Sequence, residues 1–367
     1  MERCKLLYIK MKGQNKMKKS FKLVSLFVCI LIIGTSLAGC SKQYSEEINF
    51  FNYGENIDDE TVKEFEEKYN IKVNIETFDD MEAMYQKVKS GSVDYDVVLV
   101  SDAIMTRMIN EKLIQEINKD NIPNISQMDE EYLNLDIDPD NKYSVPYMFG
   151  TVGLIYNTDI IKEDIDSWDI LWDEDYKGQI FMFDTYRDTI GVALKKLGYS
   201  LNSTNPEQIK EAQDLLISQR KLVDPIYGVD NGTVMIPAGE TNINMIWSGE
   251  GLNLQDEYPN LKYIVPKEGA NFWIDSLCIP SNAKNVDAAE KFINFVSDKE
   301  SALRIADEIG YTTPNREARL EQPESIRNNP NAYMSQEIMN RCEIYKDLSK
   351  DVKKLYDEAW LNIKSAN

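Results

Sequence analysis

The chain has 367 residues, 43% apolar and 28% charged, enough to bury a sizeable core and, by length, to form about two domains. It contains no histidine, which excludes a Ser-His-Asp triad, a Cys-His pair and a His-ligated zinc site. Its 62 acidic residues outweigh 41 basic ones, a net charge of -21 that argues against nucleic acid or anionic lipid as partner and is compatible with a cationic ligand.

Near the N-terminus, Lys18, Lys19 and Lys22 precede an apolar run over residues 23–33, followed by Leu37-Ala38-Gly39-Cys40. This is the layout of a secretory signal peptide. The run falls short of the ~20 residues a membrane span needs, which weighs against a retained signal anchor. A cysteine directly after Leu-Ala-Gly resembles the lipobox of bacterial lipoproteins, which implies cleavage after Gly39 and a lipid on Cys40. Residues 1–39 are then a signal peptide and 40–47 a lipidated tether. Residues 1–16 read as an upstream start or extended n-region, because Met17 opens a complete signal by itself. Without residues 1–39, 33 basic residues face 61 acidic ones, a balance of -28.

Beyond the tether, Ile48-Asn49-Phe50-Phe51 reads as a strand and 59–69 as a helix with Val62, Phe65 and Tyr69 on one face. Ile71, Val73 and Ile75 alternate as a second strand, completing a βαβ unit. Met81, Met84, Tyr85 and Val88 then recur at helical spacing, and Val97-Val98-Leu99-Val100 forms a wholly apolar strand suited to a parallel sheet covered on both faces. Further strands are expected at 152–156, 179–183, 243–247 and 263–265. Helices are expected at 190–197, 206–220, 287–298, 299–308 and 350–364. The alternation predicts an α/β fold. No repeat or Gly/Ser-rich linker marks a boundary, so the chain is expected to cross between lobes more than once. Cys278 lies in a strand-like run and reads as a buried apolar side chain rather than as half of a disulfide with Cys342.

Several segments, in order, resemble the spermidine/putrescine-binding proteins of polyamine ABC importers, from about residue 48 to the C-terminus. The most specific is Val265-Pro266-Lys267-Glu268-Gly269-Ala270-Asn271-Phe272-Trp273-Ile274-Asp275-Ser276-Leu277. Supporting it are Tyr143-Ser144-Val145-Pro146-Tyr147, Ser167-Trp168 with Leu171-Trp172 and Tyr176-Lys177-Gly178, Leu197-Gly198-Tyr199-Ser200, Met245-Ile246-Trp247-Ser248-Gly249, and Ile309-Gly310-Tyr311-Thr312-Thr313-Pro314-Asn315. The resemblance implies a two-lobed periplasmic-binding-protein-like fold, each lobe a mixed, mostly parallel sheet flanked by helices, with a ligand cleft at the hinge and no catalysis. Lobe one would hold 48–149 plus 276–345, lobe two 150–275, and 346–367 a C-terminal helix. The implied partners are a polyamine and the permease and ATPase subunits of the importer, the protein itself being a monomer that touches the membrane only through its lipid. No cofactor or metal is implied.

A polyamine carries ammonium groups with pKa values near lysine's, about 10.4, so it arrives charged. Enclosing such groups calls for carboxylates in place of water and for aromatic walls over the methylenes. Trp273 and Asp275 alternate about Ile274, so an extended backbone points both to one side, as a wall and an ammonium acceptor. Trp247 ends an apolar strand, at the edge where open α/β sheets present ligands. Tyr53 and Glu55 follow the first strand likewise, Ser101 ends another, and Tyr311 would close the far side. The segment Asp184-Thr185-Tyr186-Arg187-Asp188 departs from the family, which often has two acids three apart; here Asp184, Thr185 and Asp188 are the candidates. Tyr53 stands where tryptophan is common, Asn56 and Ala103 where tyrosines are, and no residue clearly matches a C-terminal glutamine contact, Lys346 falling nearby. Rival readings are the same fold binding thiamine, a sugar or a metal ion, and a hydrolase using Asp184 and Asp188 as acid and base. At a helix start the latter two read more simply as first-turn acids.

Overall fold

The computed structural model describes residues 43–229 and 231–366; the signal peptide and Cys40 expected above lie outside the described residues. The chain begins with β1 (Glu46–Tyr53), α1 (Asp59–Tyr69) and β2 (Ile71–Phe78), the two strands pairing in parallel. Asp58 caps α1 by accepting from the Thr61 amide, and Asn70, left-handed at φ 55°, ends it. Asp80 and Gly91 perform the same tasks for α2 (Met81–Ser90). Next come β3 (Val97–Ser101), whose first four residues are buried, and α3 (Asp102–Asn110), which starts with no intervening loop.

The rest comprises β4 (Ser144–Asn157), β5 (Ile180–Phe183), α4 (Tyr186–Lys196), α5 (Pro206–Val223), β6 (Ile226–Gly228), α6 (Gly232–Met235), β7 (Ile243–Trp247), α7 (Ser248–Glu257), β8 (Leu261–Ile264) and β9 (Phe272–Cys278). Helices α8 (Val286–Val296) and α9 (Lys299–Ile309) follow. After the short α10 (Arg316–Glu321), α11 (Glu324–Arg327) and α12 (Gln336–Met339), α13 (Lys350–Ser365) completes the chain.

The strands form one mixed sheet in the order β2-β1-β3-β9-β4-β7-β5-β6, with β8 beside β4. Its two wings, β2-β1-β3 and β7-β5-β6, are internally parallel, and antiparallel β9 and β4 join them. The fourteen-residue β4 belongs to both: 144–151 pair with β9, and 152–157 with β7 and β8. This is the α/β architecture that the alternation of elements predicts.

Separate cores back the two wings. Ile48, Phe65, Leu277 and Phe292 anchor one under β1 and α8. Phe181, Ile190, Leu216, Tyr356 and Ile363 anchor another, where α13 packs on α4 and α5. The Tyr356 hydroxyl donates to the Ser203 carbonyl at 3.0 Å, fixing that helix against the β7-β5-β6 wing.

Two differences from the sequence reading bear on the site. Residues 144–151, not expected as strand, are continuous with 152–156, because Pro146 falls at a β-bulge: it faces Ser276, whereas Met148 already faces Asp275. A bulge is where a central strand tolerates a missing amide donor. The extra residue, Tyr147, donates its hydroxyl to the Asn56 carbonyl at 2.7 Å. Helix α4 starts at Tyr186, four residues early, so Asp188 lies in its first turn. Cys278 is fully buried, as its sequence context suggests, and both it and Cys342 are free thiols.

Candidate functional site

The C-terminal ends of β1 and β3 supply Tyr53 and Ser101, the C-terminal end of β7 supplies Trp247 from the opposite direction, and β9, antiparallel to β3, brings Trp273 and Asp275 beside them. Register fixes this meeting: Asp275 faces Ser101 on one neighbour and Met148 at the bulge on the other, while Trp273 faces Gly150. The result is a cavity of ≈ 340 Å³, open to solvent. It is lined by Tyr53, Asn56, Met81, Ser101, Asp102, Asp188, Trp247, Glu250, Asn271, Trp273, Asp275, Tyr311 and Tyr345.

Two glycines make room for the aromatic walls. A Cβ on Gly150 would stand 2.4 Å from Trp273 Cζ2, and one on Gly249 would stand 2.3 Å from the Tyr311 ring. Trp273 and Tyr311 meet edge to face with centroids 5.2 Å apart, and Trp247 stacks on Phe183 at 4.4 Å. These arrangements hold large apolar faces in place over the cavity.

Among the described residues, four carboxylates line the cavity and no lysine or arginine does. Asp275 is 5% exposed and accepts a hydrogen bond from the Ser101 hydroxyl. Burial pushes its pKa from 3.8 up to about 6, against the lowering effect of that hydrogen bond. Asp102 is held at φ 26° at the junction of β3 and α3, and its Oδ1 accepts from the Ile274 amide at 3.0 Å. Burial raises its carboxyl well above the ordinary range, only partly countered by that amide, and the neighbouring Asp275 charge adds to the rise. Asp188 is also raised by burial, although the Thr185 hydroxyl donates to it at 2.6 Å and Tyr345 at 3.1 Å. The Tyr311 hydroxyl donates to Glu250 at 2.7 Å. Arg187, outside the lining, lies over the Tyr345 ring at 4.4 Å and donates to Asn202 at 3.0 Å.

Of the sequence candidates, the fold brings seven into the lining: Tyr53, Ser101, Asp188, Trp247, Trp273, Asp275 and Tyr311. Thr185 stands outside it and acts on Asp188 through its hydroxyl. Asp184 is exposed and ion-paired with Lys364 at 2.7 Å, because it leaves β5 on the side where α13 packs. Glu55 is exposed on the turn after β1 and does not line the cavity. Asp184 and Asp188 therefore do not converge, which removes the geometry of a two-carboxylate hydrolase. Asp102, Glu250, Asn271 and Tyr345 are additions. Asp102 carried a readable signal, a polar residue just past an apolar strand; Tyr345 carried none. No cluster of three or more Cys, Asp or Glu suited to a metal occurs among the described residues.

The site is thus a slot with four carboxyl groups and aromatic walls. The profile of the family described as bacterial extracellular solute-binding protein matches residues 60–333. The spermidine/putrescine-binding periplasmic protein of Salmonella typhimurium is 34% identical over 339 residues, covering 91% of this chain and 96% of its own. The protein of the same name in Escherichia coli K12 is 33% identical over 343 residues, covering 92% and 97%. The crystal structure of the spermidine/putrescine ABC transporter substrate-binding protein of Streptococcus pneumoniae aligns with TM-score 0.81 at 36% identity, covering 87% of this chain and 99% of that one. The chain belongs to the bacterial extracellular solute-binding protein family, alongside the spermidine/putrescine-binding periplasmic proteins.

Proposed function

We infer that the protein captures a polyamine, spermidine or putrescine, outside the cytoplasm and delivers it to the permease and ATPase of an ABC importer, without catalysis. The observation that carries this reading is a cavity lined by four carboxylates and five aromatic side chains, with no basic residue among the described lining. A neutral sugar would leave buried carboxylates uncompensated, and an anion would be repelled. Asp275 and Asp188 receive ammonium groups, and Trp273, Trp247, Tyr53 and Tyr311 cover the methylenes. Ser101 and Thr185 hold the two acids in place.

The lobes correspond to 48–149 plus 276–345 and to 150–275, crossing at β4 and β9, with 346–367 docked on the second. Cys40 carries the lipid that tethers the protein, as a monomer, to the outer face of the cell membrane. Calorimetric or tryptophan-fluorescence titration with spermidine, putrescine, thiamine and maltose tests the function. Micromolar or tighter binding of a polyamine, largely lost in Asp275→Ala, is expected; binding of thiamine or maltose with no response to either polyamine would refute it.

A further inference from the structure

A second cavity of ≈ 210 Å³ adjoins the cleft, and the two share Trp247 and Glu250 as lining residues. Its other walls are Phe183, Val229, Gly232, Thr233, Met245 and Ile246. It is far larger than the ~10–15 Å³ that a single water requires. Among its described walls the only charged side chain is Glu250, and the rest is apolar apart from the Thr233 hydroxyl. Glu250 lies in the first turn of α7 and is steadied by the Tyr311 hydroxyl at 2.7 Å, so its carboxylate has a defined place at the junction of the two spaces. Gly232 keeps the chamber's floor low: a Cβ there would stand 2.7 Å from the Phe181 ring.

An apolar pouch with one carboxylate at its mouth matches an alkyl arm that ends in, or begins at, an ammonium group. On the polyamine reading of the cleft, on which this rests, we propose that the chamber behind Trp247 is a separate subsite for an aminoalkyl arm. Glu250 is its ammonium acceptor. Asp275 and Asp188 hold the diamine part in the cleft, and the arm passes the edge of Trp247 into the chamber. Recognition of a third ammonium is thereby assigned to a residue that the diamine does not need.

The test is calorimetric titration of the wild-type protein and Glu250→Gln with putrescine, spermidine, and spermidine acetylated on its aminopropyl nitrogen. Glutamine still accepts from Tyr311, so the wall is preserved while the charge is removed. The wild type is expected to bind spermidine about tenfold or more tighter than the acetylated form. In Glu250→Gln, spermidine is expected to weaken about ten- to a hundredfold, the range of a hydrogen bond to a charged group. Putrescine, held by Asp275 and Asp188, should weaken at least about tenfold less than spermidine, and its retained binding shows that the variant is folded. Equal weakening of putrescine and spermidine, or unchanged spermidine affinity, would overturn the subsite while leaving the polyamine reading intact. Failure of the wild type to bind any of the three amines would instead sink the reading beneath it.

Discussion

Replacing Asp275 with asparagine separates what this residue costs the fold from what it contributes to binding. The carboxyl is buried and its pKa stands at about 6 instead of 3.8, so ionising it in the unliganded protein costs about 3 kcal/mol. The folded pKa is above the unfolded one. The group's stabilising contribution is therefore present below pH 3.8 and lost as pH rises to about 6. Asp275→Asn should match the wild type near pH 3.8 and exceed it by a constant amount above pH 6. With about 2.1 cal/mol/K of unfolding entropy per residue across the unit 46–367, the gain is about 4 °C in Tm at pH 7.5. The same change removes the partner of a buried ammonium, about 3–5 kcal/mol, or a hundred- to several-thousandfold in Kd. Differential scanning calorimetry with and without spermidine reads both effects. An unliganded variant that melts at or below the wild type at pH 7.5, or one that still gains Tm from spermidine, would refute the reasoning.

Because an ammonium favours ionised carboxylates, amine binding at pH 6 should release protons, and affinity should fall as pH drops below about 6; calorimetry in buffers of different ionisation heat measures this. Gly150→Ala places a methyl 2.4 Å from the Trp273 ring and should cost about 1–3 kcal/mol of stability or binding, with a shifted tryptophan emission spectrum. Asp184→Ala breaks only an exposed pair with Lys364, so Kd should be unchanged and stability should fall by less than about 1 kcal/mol. Asp188→Asn, by contrast, should weaken binding of every polyamine tested, since it neutralises a carboxylate inside the cavity.

Local chemistry made part of the site readable in advance. Strand alternation about Ile274 places Trp273 and Asp275 together, and the ends of apolar strands locate Tyr53, Ser101 and Trp247, because both rules depend on a few adjacent residues. The same strand-end rule, applied one residue further, reaches Asp102. Asp184 and Asp188 read alike as acids near a helix start; only the packing of α13, whose Lys364 lies 180 residues beyond Asp184, ties Asp184 down at the surface. Tyr345 comes from a segment without regular structure and meets Asp188 across 157 residues, a contact that no short pattern encodes. The unbroken β4 was hidden by Pro146, whose usual meaning as a strand breaker is cancelled by the bulge.

The position of β9 has a consequence for how the chain reaches its final state. The inner edge of β3 is completed by a partner 174 residues later, so the first wing keeps open amides and carbonyls until almost three quarters of the polypeptide has been made. Such non-local closure makes for slow folding and for an intermediate prone to sticking edge to edge. When the sheet can close is therefore set by when residues 272–278 become available to both β3 and β4.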